Sequence, residues 1–278
     1  MFDKRVAGNK FQTAESGARE SRLQSSDPPY KQVCPSYQIT GAGPLLVNIP
    51  GLDGTGELIF KQMPGLTQLY RVATFKLRDS RRFSYEDLAG DVAAIIRDAG
   101  EDRAIVVGES FGGTLALWFA LLYPTMLDRL VIINSFPRFR NRFKIELARR
   151  SASWIPFQAS WFVRVCGTTL GLRADGVAPE DRRRCFNIIR TVGRDGYVRR
   201  LELIEQLDLR DRLSEIKAPA LFIAADRDLL LPSLREARFM ASRIPNAKIE
   251  IARGAGHACL MGNRVSLASL LSNWMDEA

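Results

Sequence analysis

An α/β architecture is predicted, with a mostly parallel central sheet, helices on both of its faces and an inserted helical cap. Three patterns predict it. Short apolar runs rich in β-branched residues alternate with longer helical segments, a glycine-flanked serine stands where one such run passes into a helix, and the alternation lapses between Pro137 and Lys217 before it resumes.

Taken in order, residues 1–35 carry Lys4, Arg5, Lys10, Arg19 and Arg22 and the stretch Ser25-Ser26-Asp27-Pro28-Pro29. They lack the apolar block of a signal peptide and read as a flexible arm. The first ordered piece is expected at Tyr37–Thr40. Strand-like runs follow at Leu45–Ile49, Val72–Phe75, Ala104–Val107, Leu130–Ile133, Ala220–Ala224 and Lys248–Ala252. Between them, Ser84–Ala99 has a serine at its start, Glu86-Asp87 in its first turn and Gly100 beyond its end, which are helix boundary signals. Gly113–Tyr123 is apolar around most of its circumference, as a buried helix is. Pro232–Ile244 and Arg264–Asp276 complete the helices expected outside the cap. The core is thus expected over 36–136 and 218–278, and 137–217, too long for a simple crossover, is expected as the cap.

The chemistry concentrates in Val106-Val107-Gly108-Glu109-Ser110-Phe111-Gly112-Gly113. A serine on a sharp strand-to-helix turn has an exposed hydroxyl, and the helix start offers backbone N–H groups and a positive dipole end to a developing oxyanion. Gly108 and Gly112 suit that turn because side chains on both sides of the serine would collide. Gly-x-Ser-x-Gly alone also describes a plain glycine-rich turn, but three further features agree with the catalytic reading. The one histidine of the chain, His257, lies on the Gly-flanked loop Gly254-Ala255-Gly256-His257-Ala258 after the last strand-like run. Asp226 and Asp228 follow the run Pro219-Ala220-Leu221-Phe222-Ile223 and offer a carboxylate at another strand end. Finally, Leu45–Ile49 runs into Pro50-Gly51-Leu52-Asp53-Gly54-Thr55-Gly56, a loop able to present a backbone N–H. No Gly-Lys-Ser/Thr follows it, which argues against a phosphate loop. The order Ser, Asp, His, each at a strand end, is that of an α/β-hydrolase and not of other serine-hydrolase folds.

Over residues 40–278 the chain resembles the α/β-hydrolase superfamily. Its Pro50–Gly56 and Gly108–Gly113 segments are similar to the hydrolase module of the esterase/lipase/thioesterase group that includes phytyl ester synthases. Many members carry His-Gly where this chain has Pro50-Gly51, but the oxyanion hole uses the N–H of the next residue. The resemblance therefore implies that role for Leu52, with Phe111 as the second donor. In similar members the acid stands four residues before the proline of an acid-x-x-apolar-Pro segment, which matches Asp228 and Pro232. Asp226 stays open as the alternative acid, its other reading being a turn residue that pairs with local N–H groups or Arg227.

Composition describes a globular protein of 278 residues with a net charge of +9, long enough for one large domain or two small ones, and one α/β domain with an inserted cap suits both length and pattern. The charge is regional, since residues 137–217 hold eighteen Lys and Arg against ten Asp and Glu, a net +8. Such a region either attracts anionic substrates or membrane surfaces or is simply a solvated helix face. No nucleic-acid module accompanies the arginines. Trp154, Ile155, Phe157, Trp161, Phe162 and Val163 form an apolar cluster that would line an acyl pocket or pack a cap helix onto the core. Cys34, Cys166, Cys185 and Cys259 lack metal-ligand spacing, so no metal or cofactor is expected, and a reducing, cytoplasmic setting is the simplest reading. Cys166 and Cys185 would be the pair to form in an oxidising one. No apolar run has the length of a membrane span.

The expected activity is hydrolysis of a small-molecule carboxylic ester with an apolar acyl group, by nucleophile Ser110, base His257 and acid Asp228 with Leu52 and Phe111 as the oxyanion hole. Thioester and lactone hydrolysis and carbon–carbon bond cleavage use related constellations and stay open. The resemblance to phytyl ester synthases implies acyl transfer to an alcohol as the rival reaction. A ligand receptor built on the same fold is the rival of a different class.

Overall fold

The computed structural model describes residues 34–154 and 177–276. Among them, seven strands form one sheet in the order β1-β3-β2-β4-β5-β6-β7. They are β1 (Tyr37–Thr40), β2 (Leu45–Ile49), β3 (Arg71–Phe75), β4 (Ala104–Glu109), β5 (Leu127–Ile133), β6 (Ala220–Ala225) and β7 (Ala247–Ala252). Only β1 runs antiparallel to its neighbour, β3, and every other pairing is parallel. A parallel sheet needs crossovers, which cover both faces, so its strands must be apolar on both sides. Leu45, Val47 and Ile49 of β2 accordingly enter one layer and Leu46 the other. Helices α2 (Tyr85–Asp98) and α3 (Phe111–Leu122) contribute Leu88, Val92 and Leu115 to the first layer. The short α1 (Met63–Leu66) and the C-terminal helix give Leu66, Leu267, Leu271 and Trp274 to the second.

The boundaries of α2 follow from local chemistry. Ser84 Oγ accepts from the Asp87 N–H at 3.2 Å while the Asp87 carboxylate accepts from the Ser84 N–H at 2.8 Å, a reciprocal cap that satisfies two donors with no partner inside the helix. The chain leaves the helix through Gly100 at φ +77°, a left-handed value that costs glycine least. Several strands outrun the apolar runs that announced them. β5 starts at Leu127 and not Leu130 because Leu127 and Arg129 also pair with β4, across a register shift that leaves Asp128 as a bulge. Helix α3 starts at Phe111, two residues earlier than expected.

Between β5 and β6 stand α4 (Arg142–Trp154), α5 (Pro179–Arg190) and α6 (Arg194–Gln206), where the sequence predicted a cap. Helices α5 and α6 are tied to loops at the carboxyl end of the sheet. Lys61 pairs with Asp181, Arg81 Nε lies 2.8 Å from Asp195, the Gly196 N–H donates to Asp79 at 3.0 Å, and Arg199 Nε donates to the Phe83 carbonyl at 2.7 Å. Helix α7 (Ser233–Ala241) joins β6 to β7, and α8 (Leu267–Asp276) follows β7. The N-terminal arm up to residue 33, the apolar cluster from Ile155 to Val163, and Cys166 lie outside the described residues. No described helix is long and apolar enough to cross a membrane.

Replacing the reciprocal cap by Ser84→Ala should cost about 1 kcal/mol, the usual worth of such a residue. A urea titration monitored by circular dichroism should show the loss as a lower midpoint with an unchanged slope.

Candidate active site

Ser110 sits between β4 and α3 with φ +55° and ψ −117°. A residue with a Cβ rarely adopts such a backbone, and it persists here because neighbouring groups hold it. Its N–H donates to the Ile133 carbonyl of β5 at 2.9 Å, and its carbonyl accepts from the Gly113 N–H at 3.0 Å and from the Ser135 hydroxyl at 2.6 Å. From below, the buried Tyr85 of α2 stacks on Phe111 with ring centroids 5.8 Å apart. The Thr114 hydroxyl donates to the Phe111 carbonyl at 2.7 Å and so accepts from the Tyr85 hydroxyl, 3.1 Å away. The glycines serve closer contacts than the turn alone demands. A Cβ on Gly108 would lie 2.2 Å from the Gly112 carbonyl oxygen, inside the turn as expected. On Gly112 it would lie 2.3 Å from the Ile49 carbonyl oxygen, so this glycine is required by the neighbouring strand end and not by crowding within the turn. Gly113, which the sequence reading passed over, would place one 2.5 Å from Ser135 Cβ.

The loop after β7 brings His257 to this serine, with Nε2 3.1 Å from Ser110 Oγ. Its Nδ1 lies 2.7 Å from Asp228 Oδ2, on the loop after β6. A carboxylate only accepts, so Nδ1 carries the proton and Nε2 is left to accept from the serine hydroxyl. The Asp228 side chain is 1% exposed and His257 14%. Burial alone would raise the Asp228 carboxyl. The hydrogen bond and charge of His257, the Ser233 hydroxyl on Oδ2 and the Leu231 N–H on Oδ1 outweigh burial, so the value falls below the usual range. Asp226 lies outside this line, accepting from the Gly254 N–H at 2.7 Å.

Of the two backbone groups carried over from the resemblance, one directly follows the serine and the other stands on the loop after β2. Phe111 opens α3, so its N–H belongs to the first-turn donors that have no acceptor within the helix. Leu52 stands in the tight turn Gly51–Gly54, closed by the Gly54 N–H on the Gly51 carbonyl at 3.0 Å. That loop abuts the strand-to-helix turn that carries Ser110, since a Cβ on Gly51 would stand 3.6 Å from the Glu109 carbonyl oxygen.

Sequence reasoning missed the residues that hold the loops in place. Asn134, buried at the end of β5 with φ +43°, donates from Nδ2 to the His257 carbonyl at 2.8 Å. Its Oδ1 accepts from the Ala225 N–H at 2.8 Å, at the end of the strand that leads to Asp228. One side chain therefore bridges the histidine and aspartate loops. Buried Gln62 acts similarly beyond His257, donating to the Leu260 and Val265 carbonyls at 2.6 and 3.1 Å and accepting from the Leu267 N–H at 2.9 Å. A polar amide residue directly after an apolar strand was the one visible signal for Asn134. Nothing marked Gln62.

The family signature described as "Alpha/beta hydrolase family" matches residues 39–268. The "Putative carbamate hydrolase RutD" of Escherichia coli O139:H28 is 25% identical over 274 residues, covering 91% of this chain and 95% of its own. Solved structures that superpose include an enol-lactonase from Burkholderia xenovorans LB400, with a TM-score of 0.73, 20% identity and coverage of 87% and 96% of the two chains. A thermophilic esterase from Thermogutta terrifontis gives 0.73 at 22% identity, covering 87% and 93%.

Two outcomes are expected. Asn134→Ala leaves the Ala225 N–H without its acceptor and places alanine at a left-handed backbone, so chemical denaturation should show a loss of about 1–3 kcal/mol. The depressed Asp228 carboxyl binds fewer protons folded than unfolded, so its contribution is full above about pH 4 and is lost as pH falls through the folded value. Asp228→Asn should therefore flatten the acid limb of the stability–pH profile below about pH 4.

Proposed function

The chain belongs to the alpha/beta hydrolase family, and on that premise we propose that it cleaves carboxylic esters through an acyl-enzyme on Ser110. The reading is carried by one observation, the continuous line from Ser110 Oγ through His257 to Asp228 at 3.1 and 2.7 Å. In this mechanism His257 Nε2 takes the serine proton as Oγ attacks the ester carbonyl. Asp228 keeps the proton of Nδ1 in place and stabilises the imidazolium, remaining ionised itself. The N–H groups of Leu52 and Phe111 receive the oxyanion, where one well-placed donor is worth about 3–4 kcal/mol. His257 then protonates the departing alcohol, and a water activated by the same nitrogen releases the acid. The chemistry calls for no cofactor.

Residues 137–217 act as the cap in this reading, and the acyl group is apolar. Support comes from an apolar cluster of Leu58, Phe60, Val177, Ile189, Ala258 and Met261, in which Ala258 is the residue that follows His257 in the chain. The relatives named for carbamate, enol-lactone and ester substrates all bear names of acyl–heteroatom chemistry, in keeping with the proposed bond type. The similarity of Pro50–Gly56 and Gly108–Gly113 to phytyl ester synthases favours acyl transfer to an alcohol as the second reading.

A p-nitrophenyl ester series of increasing acyl length tests the proposal. Wild type should turn over, Ser110→Ala and His257→Ala should lose on the order of 10^5–10^6-fold in kcat, and Asp228→Asn roughly 10^4-fold. Turnover retained by Ser110→Ala would refute it. Partition of the acyl group between water and an added long-chain alcohol separates hydrolysis from transfer, and absence of Ser110 labelling by a fluorophosphonate would instead indicate a receptor.

A further inference from the structure

Arg200 of α6 is among the most deeply buried side chains of the described residues, 2% exposed, although it is charged and lies in the basic region expected to be the cap. A buried guanidinium is tolerated when its donors are satisfied in fixed geometry. Here they are spent on backbone. Nε donates to the Leu52 carbonyl at 2.9 Å, one terminal nitrogen to the Asp53 carbonyl at 3.1 Å, and the other to the Arg78 carbonyl at 3.2 Å. Two of the three acceptors belong to the turn that carries the proposed oxyanion donor.

Peptide planarity converts these contacts into an orientation. In a trans peptide the C=O and the following N–H point in opposite directions, so fixing one fixes the other. The bond to the Asp53 carbonyl sets the 53–54 peptide, whose N–H donates to the Gly51 carbonyl at 3.0 Å. That second bond sets the 51–52 peptide, whose N–H is that of Leu52. The bond to the Leu52 carbonyl fixes the intervening 52–53 peptide. Gly54 completes the fit, because a Cβ there would lie 2.7 Å from the guanidinium carbon and the residue holds φ +71°. From this geometry we infer that Arg200 is a positioning residue, a clamp from α6 that aims the Leu52 N–H at the oxyanion without touching substrate. The inference rests on the reading of Ser110 as nucleophile and Leu52 as donor. Burial, the larger effect, lowers its pKa from the ordinary arginine value, while the nearby Asp53 and Asp79 favour its charge.

The test compares wild type, Ser110→Ala, Arg200→Lys, Arg200→Ala and Gly54→Ala on one p-nitrophenyl ester, with a boronic acid as the tetrahedral analogue. Both Arg200 variants should lose about 30–100-fold in kcat, with KM unchanged within about threefold and boronate affinity reduced by the same factor as kcat. A structural role alone would not tie kcat to boronate affinity at constant KM. Gly54→Ala disturbs the same contact from the opposite side and should give the same split, so it decides the matter if near-ultraviolet circular dichroism shows the Arg200 variants unfolded. Folded variants with wild-type kcat, or with raised KM and intact kcat, overturn the clamp while Ser110→Ala stays inactive. A fully active Ser110→Ala overturns the hydrolase reading and the clamp with it.

Discussion

The strained backbone of Ser110 is the constraint on which the rest of the site depends. At φ +55° and ψ −117° the serine leaves the strand direction and yields at once to a helix, so its hydroxyl projects from both elements. Such a conformation costs on the order of 1–3 kcal/mol and survives only where packing over-determines it. The surroundings supply that packing at very short range. Two glycines accept backbone oxygens where any Cβ would clash, the end of β5 grips the serine amide and carbonyl, and Tyr85 with Phe111 fills the space beneath.

The second level of organisation is the shared end of the parallel sheet. Strands β4, β6 and β7 all deliver their loops to the same edge, which is why residues 110, 228 and 257 can meet although they are far apart in the chain. β5 contributes no member of that line, yet its end is the mechanical centre. Asn134 ties the histidine loop to the aspartate strand, and Ser135 holds the serine carbonyl. A buried polar side chain with all its partners in place rigidifies its surroundings, and one left incomplete would cost the same order of energy it otherwise supplies.

The basic stretch between β5 and β6 divides along similar lines. Many of its arginines meet carboxylates near the surface, such as Arg150 with Glu146 and Arg212 with Glu215, and exposed pairs of this kind contribute little to stability. Arg200 differs, because its charge is withdrawn from water and committed to main-chain carbonyls of the loop after β2. A count of eighteen positive residues could not separate the one from the others.

Much of this was legible in the chain. The apolar runs marked six of the seven strands by composition and the seventh as a first ordered piece, and Ser84 with Asp87 and Gly100 bracketed α2, because strand burial and helix capping are local and leave a local pattern. The single histidine and the glycine-flanked serine likewise narrowed the chemistry before any fold was known, since few residue types can do it. What the sequence by itself determined, then, was the alternation of elements and the supply of reactive groups. Tertiary structure alone decided that Gly112 answers to Ile49 and that Asn134, Gln62 and Arg200 brace the loops. Each of these depends on a contact between distant segments, and such contacts have no period, cap or motif by which one stretch of chain could announce them.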